Sequence, residues 1–416
     1  MKMNDIFEKV KKASQTLVST GEERINRVIN NLADLLESSS AELLEANGRD
    51  LERMDPANPL CDRLRLTPER IAGIASDLRH VATLPSPVGE EIERRTLPNG
   101  IQLRRVRVPF GVIGVIYEAR PNVTFDVFSL CLKSGNACVL KGGRDAEESN
   151  IAAMRLIHKA LQSEQLDCDI ATLLPATHEA TAALLNAVGY IDVCIPRGGR
   201  KLIDFVRDNA RVPVIETGAG VVSAYFDKDG DLEIGIRVID NAKTRRVSVC
   251  NALDTLLIHS SRLADLPLLV SLLGKKGVEI HADRRAYHAL EKEYPGNLLL
   301  HADENEDWDK EWMDYKMGIR TVDSLEEAIC HIARHGSGHS ESIVTEDEKA
   351  AEEFQRRVDA ACVYWNLPTS FTDGAQFGLG AEIGISTQKL GARGPMGLRE
   401  MTTYRYLLTG HGQTRP

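Results

Sequence analysis

The chain has 416 residues, 43% hydrophobic and 27% charged, with 61 acidic against 51 basic side chains for a formal net charge of −10. That length suits two or three ordinary domains with sizeable cores, and the acidic balance argues against a nucleic-acid partner, because counterion-release binding needs clustered Lys and Arg in excess. No apolar run is long enough to span a bilayer and no secretory h-region follows Met1, so a cytoplasmic protein without membrane contact is the expectation.

In chain order, residues 4 to 83 read as helices. Apolar positions recur at three and four between Arg27 and Leu36, and Thr67-Pro68 opens a helix with an N-cap and an early proline. Residues 92–97 and 101–108 alternate apolar with polar around the turn Pro98-Asn99-Gly100, which predicts a polar-faced hairpin with little to bury by itself. From Gly111 strands alternate with helices. Strands are expected at 112–117, 137–140, 171–174, 193–195 and 212–215, with helices at 124–133, 147–161, 178–188 and 201–207. Their near-continuous apolar runs predict a doubly wound parallel sheet covered on both faces. A second α/β segment begins after Tyr225, with a helix near 231–241, a turn at Cys250, a strand at 252–258 and a helix at 264–273. Residues 377–397 are too glycine-rich for helix and read as a folded loop, and the tail at 402–408 is a candidate strand to partner the hairpin.

The chemistry concentrates at a few turns. Cys250 follows Lys243, Arg245 and Arg246 in Asn241-Ala-Lys-Thr-Arg-Arg-Val-Ser-Val-Cys-Asn251, and nearby cations would stabilise a thiolate relative to a free thiol of pKa about 8.5. The other seven cysteines form no C-x-x-C pair and read as reduced thiols. No metal site is expected, since Gly336 and Gly338 interrupt any helix that would bring His335 and His339 onto one face. Ligands of open parallel sheets lie beyond the carboxyl ends of the strands, where three turns fall: Tyr117-Glu-Ala-Arg-Pro-Asn122, Lys141-Gly-Gly-Arg144 and Pro196-Arg-Gly-Gly-Arg200. Asn122 is placed to offer an amide donor to an anion. The two basic glycine turns match neither a dinucleotide fingerprint nor a Walker pattern, yet together they suit a phosphate-bearing cofactor.

These residues fall in the order of the aldehyde dehydrogenase superfamily. More narrowly, Gly114-Val-Ile-Tyr-Glu-Ala-Arg-Pro-Asn-Val-Thr124, Ile195-Pro-Arg-Gly-Gly199, Phe371-Thr-Asp-Gly374, Phe377-Gly-Leu-Gly-Ala-Glu382 and Ala392-Arg-Gly-Pro-Met-Gly397 resemble the γ-glutamyl phosphate reductase family almost end to end. The resemblance implies an aldehyde-dehydrogenase-like α/β fold. Its parts would be an NADP-binding domain at 1–90 and 109–220, a catalytic domain at 221–398, and an oligomerisation hairpin and tail at 91–108 and 399–416. It implies reduction of L-glutamate 5-phosphate by NADPH to the semialdehyde and phosphate, in proline biosynthesis. Cys250 would be the nucleophile, and Asn122 with the Cys250 backbone N–H would form the oxyanion site.

By position Lys141 would reach the adenosine ribose, and Arg144 stands where NAD-preferring members carry a glutamate, so it would receive the 2′-phosphate of NADP. Arg197, Gly198, Gly199 and Glu311 complete the implied cofactor set, and Arg120, Arg245, Arg246 and Arg393 form the pool for the substrate's anionic groups. Glu216 stays outside the catalytic set. The chain departs from the family pattern at Val222, Ser223, Val247, Leu367, Pro368, Ser370 and Gly391. A homo-oligomer is expected, and association with glutamate 5-kinase, source of the labile substrate, is left open. Two other readings compete: a hydrolytic or CoA-dependent aldehyde dehydrogenase, and a non-catalytic nucleotide-binding protein.

Overall fold

The computed structural model describes residues 2–55, 60–118, 120–218 and 220–415; Ala119, inside the Tyr117–Asn122 motif above, and Ala219 lie outside the described residues. The chain forms two compact units, one of Met1–Thr217, Gly378–Gly384 and Met396–Pro416, the other of Gly218–Phe377 and Ile385–Pro395. No described helix is long and apolar enough to cross a membrane.

The first unit opens with helices α1 (Met3–Leu17), α2 (Glu22–Ser38), α3 (Ser40–Glu52), α4 (Leu60–Leu64) and α5 (Pro68–Thr83). As the sequence predicts, Thr67 caps α5 by accepting from the Arg70 N–H, with Pro68 at the first helical position. Strands β1 (Glu91–Thr96) and β2 (Gln102–Pro109) form the expected hairpin. Next come β3 (Val112–Tyr117), helix α6 (Pro121–Lys133), β4 (Ala137–Gly142), α7 (Glu147–Ser163), β5 (Ala171–Leu173), α8 (His178–Leu185), β6 (Val193–Arg197) and α9 (Arg200–Asn209). The four strands pair in parallel in the order β5-β4-β3-β6. All six residues of β3 are buried, because helices cover both sheet faces.

The strand expected at 212–215 does not form. Pro213 has no N–H to give a ladder, and the segment contributes one parallel bridge, Val214 to Cys194.

The second unit holds a seven-stranded parallel sheet. Its strands are β7 (Ser223–Phe226), β8 (Thr255–His259), β9 (Glu279–Ala282), β10 (Leu299–His301), β11 (Lys316–Val322), β12 (Ser340–Val344) and β13 (Cys362–Trp365), in the order β10-β9-β11-β8-β7-β12-β13. Alternation along β8 sends Leu256 and Ile258 into one core with Val238 and Ile239 of α10 (Leu232–Thr244), and Leu257 into the other with Tyr225, Ile343 and Phe354. The helix expected at 264–273 is broken instead into a 3-10 turn and two short helices, Leu266–Leu269 and Ser271–Lys275, with Pro267 in the first turn. Residues 377–397 are mostly loop, with β14 (Ile385–Ser386) paired to β15 (Gly394–Pro395). The tail strand β16 (Thr402–Thr409) returns to the first unit and pairs antiparallel with β2.

Helix α7 follows the Lys141–Arg144 turn and takes its cap from elsewhere. Asp50 of α3, fully buried, accepts from the Glu148 N–H at 3.1 Å, the Ser149 N–H at 2.8 Å and the Ser149 hydroxyl at 2.6 Å. A carboxylate meets both the unpaired N–H groups and the positive end of the helix dipole. Asp50→Ala strips all three bonds and should cost about 3 kcal/mol, read as a lower urea midpoint at unchanged slope, whereas Asp50→Asn keeps an acceptor and should lose less.

Candidate active site

In the first unit the chain steps from β3 to β4 and β5, then returns to place β6 on the other side of β3. The reversal puts a crevice site between β3 and β6 at their carboxyl ends, where the turns after Tyr117 and Arg197 meet. Helix α6 begins at Pro121, so Asn122 stands in its first turn rather than in a preceding loop. The Asn122 Nδ2 donates to Asp126 Oδ2 at 2.9 Å, one turn further along the helix. The same turn is anchored by Thr124, whose hydroxyl lies 2.8 Å from the Tyr117 hydroxyl and donates to Asn150 Oδ1 at 2.9 Å. Burial pushes Asp126 up to about 7 against the opposing Asn122 hydrogen bond, with Asp77 raising it further and Arg197 lowering it.

At the neighbouring turn, Gly199 donates its N–H to Glu118 Oε2 at 2.9 Å, so an exposed carboxylate occupies the amino end of α9. A Cβ on Gly198 would stand 2.6 Å from the same oxygen, which is why that position is glycine. Arg197 packs against the backbone of Gly384, where a Cβ would meet its Nη1 at 2.6 Å. One strand over, Lys141 is half-buried and Arg144 exposed; burial first, and then the Arg144 charge, lower the lysine's pKa. Two cations held together at a strand end suit a phosphate group, and Gly142 allows the close approach, since a Cβ there would overlap Asn150 at 2.2 Å. Arg120 is exposed at the N-cap of α6, and Glu216 faces Arg207 at 3.8 Å.

In the second unit Cys250 is a partly buried thiol outside any disulfide, in the loop between α10 and β8, at the amino end of that strand. The loop is closed at its base by the Leu253 N–H to the Ala242 carbonyl at 3.0 Å. Asn251 clamps it to residues 369–372: its Nδ2 donates to the Thr372 carbonyl at 2.9 Å, and its own carbonyl accepts from the Thr369 hydroxyl at 2.8 Å. Ser370 donates to Asn241 Oδ1 at 2.6 Å. Gly220 presses closest, for a Cβ there would sit 1.7 Å from the Cys250 carbonyl oxygen. The Gly220 N–H donates to Glu311 Oε1 at 3.0 Å, which ties Glu311 to the segment leading into β7, beside the thiol loop.

Of the three cations before the thiol, Arg245 and Arg246 are exposed, but Lys243 is fully buried. Burial lowers its pKa and raises that of buried Asp254, each charge partly restoring the other. Arg393 pairs with Asp359 at 2.8 Å, and Lys389 joins the same carboxylate. Val222 and Ser223, two departures from the family pattern, are buried.

Glu118 and Asp126 escaped the sequence reading. Asn122 and Asp126 carry an i, i+4 signal, visible only when the helix starts at Pro121. A cavity of about 360 Å³ at the carboxyl end of the second sheet is lined by Asp227, Lys228, His259, Asp323, Lys349 and Glu353 among others, and includes none of the expected site residues. Among the described residues no group of three His, Cys, Asp or Glu is placed to hold a metal.

The glycines give a paired test. Gly220→Ala drives a methyl into backbone and should cost about 3 kcal/mol, while Gly199→Ala, with 3.8 Å to the nearest atom, should leave the thermal midpoint unchanged.

No family model matches the chain. Curated relatives do: the γ-glutamyl phosphate reductase of Pelodictyon phaeoclathratiforme is 59% identical over 98% of this chain and 97% of its own length. The crystal structure of γ-glutamyl phosphate reductase from Thermotoga maritima superposes with a TM-score of 0.94 at 40% identity, covering 99% of each chain. An acetylating aldehyde dehydrogenase from Geobacillus thermoglucosidasius shares the fold, with a TM-score of 0.70 at 17% identity over 99% of this chain and 97% of that one. With identity this high over nearly the whole length, and the motif residues in place, the chain belongs to the γ-glutamyl phosphate reductase family, on an aldehyde-dehydrogenase-like α/β fold.

Proposed function

We propose that this chain is an NADPH-dependent reductase of L-glutamate 5-phosphate, yielding L-glutamate 5-semialdehyde and phosphate in proline biosynthesis from glutamate. The observation that carries the reading is the Cys250 thiol on a loop pinned by Gly220, Asn251 and the Ala242–Leu253 bond, in a chain of this family. The Cys250 thiolate attacks the acyl carbon, the carbon–oxygen bond to phosphate breaks, and a thioester remains on the sulfur. The Asn122 amide and the Cys250 N–H hold the oxyanion in that step. Bound NADPH supplies the hydride that the thioester carbon accepts. The same two donors hold the second oxyanion, and Cys250 leaves as thiolate when the aldehyde forms.

Arg144 recognises the 2′-phosphate and Lys141 the adenosine ribose, while Gly198 and Gly199 at the amino end of α9 face the pyrophosphate with Arg197 beside them. Glu118 must yield the Gly199 N–H when the pyrophosphate arrives. Glu311, bonded to Gly220, is assigned to the nicotinamide ribose. Arg120, Arg245, Arg246 and Arg393 serve the substrate's phosphate and α-carboxylate; Arg393 does so while shared with Asp359. Residues 1–90 and 109–220 bind the cofactor and 221–398 carry the chemistry. The hairpin and tail pair subunits, a role that suits the exposed Tyr404, Tyr406 and Leu408 on β16.

Three outcomes test the reading. In the reverse direction, NADPH formation from the semialdehyde should require inorganic phosphate, and activity without phosphate would favour a hydrolytic enzyme. Asn122→Ala should lower kcat by about 10²–10³, as loss of an oxyanion donor does elsewhere. Arg144→Glu should raise KM for NADPH about tenfold or more while leaving that for NADH nearly unchanged.

A further inference from the structure

We propose that Asp126 is the positioning residue that fixes which face of the Asn122 amide meets the substrate, an inference resting on the oxyanion role given to Asn122 above. An asparagine side chain is close to two-fold in shape. Turned one way it presents N–H donors, and turned the other it presents a carbonyl oxygen, which would repel an oxyanion. The helix supplies a device that tells the two apart. Asp126 lies four residues on, over the next turn of α6, with Oδ2 2.9 Å from Asn122 Nδ2. Above its pKa of about 7 the Asp126 carboxyl is ionised and only accepts, so the flipped amide would set oxygen against oxygen. One N–H of Asn122 is thereby committed to Asp126, and the other is left for the ligand.

The surroundings hold both partners in place. Thr124, between them in sequence, is bonded to Tyr117 at the end of β3 and to Asn150 on α7, which fixes this turn of α6 against the sheet. Two charged groups act on Asp126 from other elements: Asp77 of α5 disfavours its ionised form and Arg197 of β6 favours it. Arg197 has little freedom to leave, since it lies against the Gly384 backbone. The Asp126 carboxyl is therefore held in α6, the helix that follows β3, with the Arg197 cation of the neighbouring strand acting on it.

The test is a double-mutant cycle on the full-length enzyme, assayed with semialdehyde, inorganic phosphate and NADP. Asp126→Ala should lower kcat about 10- to 100-fold with KM changed less than about twofold, because orientation matters most for the group that meets the transition state. Asp126→Asn, whose amide oxygen accepts the same N–H, should recover kcat to within about fivefold of wild type. In an Asn122→Ala background, Asp126→Ala should have no further effect, which is the signature of two residues acting as one unit. Full activity in Asp126→Ala overturns the proposal, as does a loss that simply multiplies with that of Asn122→Ala, or an Asp126→Asn enzyme as impaired as the alanine variant. An Asn122→Ala enzyme with normal kcat would instead remove the oxyanion reading itself, and the inference would fall with it.

Discussion

The close approach of Gly220 to the Cys250 carbonyl is the constraint on which the thiol's geometry depends. Cys250 sits in a loop with no ladder of its own, and an unsupported loop of that kind moves too much to hold a reacting atom. Support comes from far along the chain. Glu311 bonds the Gly220 N–H, Gly220 lies against the loop backbone, and residues 369–372 grip Asn251. The base is closed by a single backbone bond between Ala242 and Leu253, with buried Lys243 and Asp254 on either side of it in sequence. Order at the thiol is therefore a tertiary property, and no local feature of residues 245–254 explains it.

Carboxylates organise the first unit in a comparable way. Two helices follow the basic glycine turns, and each has an acidic side chain at its amino end. Asp50 at α7 is buried and makes three bonds there, so it is a fixed cap. Glu118 at α9 is exposed and makes one bond to Gly199. Water can replace it at little cost, and so can a competing anion. On the proposed reading this difference leaves α9, rather than α7, to meet the cofactor's pyrophosphate, while Lys141 and Arg144 answer a second phosphate at the end of β4.

Much of this was legible in the sequence because the signals are local. Hydrophobic periodicity and the Thr67-Pro68 cap predict the amino-terminal helices, the Pro98-Asn99-Gly100 turn predicts the hairpin, and apolar runs predict the parallel strands. The misses have physical causes. Pro213 empties a donor from the segment at 212–215, Pro267 and a break at Val270 divide an expected helix, and Cys250 to Asp254 are taken up by a loop so that β8 starts only at Thr255. Cys250 and Asn122 stood out by residue type and neighbours. Glu118 did not, because its partner Gly199 lies 81 residues away and meets it only when β6 returns beside β3. The burial of Lys243 was hidden for the same reason: its place in a basic run reads as surface, and only the packed sheet reveals otherwise.

The proposed chemistry requires that position 250 carry the acyl group during turnover. The most direct measurement is peptide mass spectrometry of enzyme mixed with the acyl phosphate in the absence of NADPH and quenched in acid. A glutamyl adduct on the Cys250 peptide, discharged when NADPH is added before the quench, is the predicted result. An unmodified Cys250 in a sample that still forms semialdehyde on addition of NADPH would contradict it.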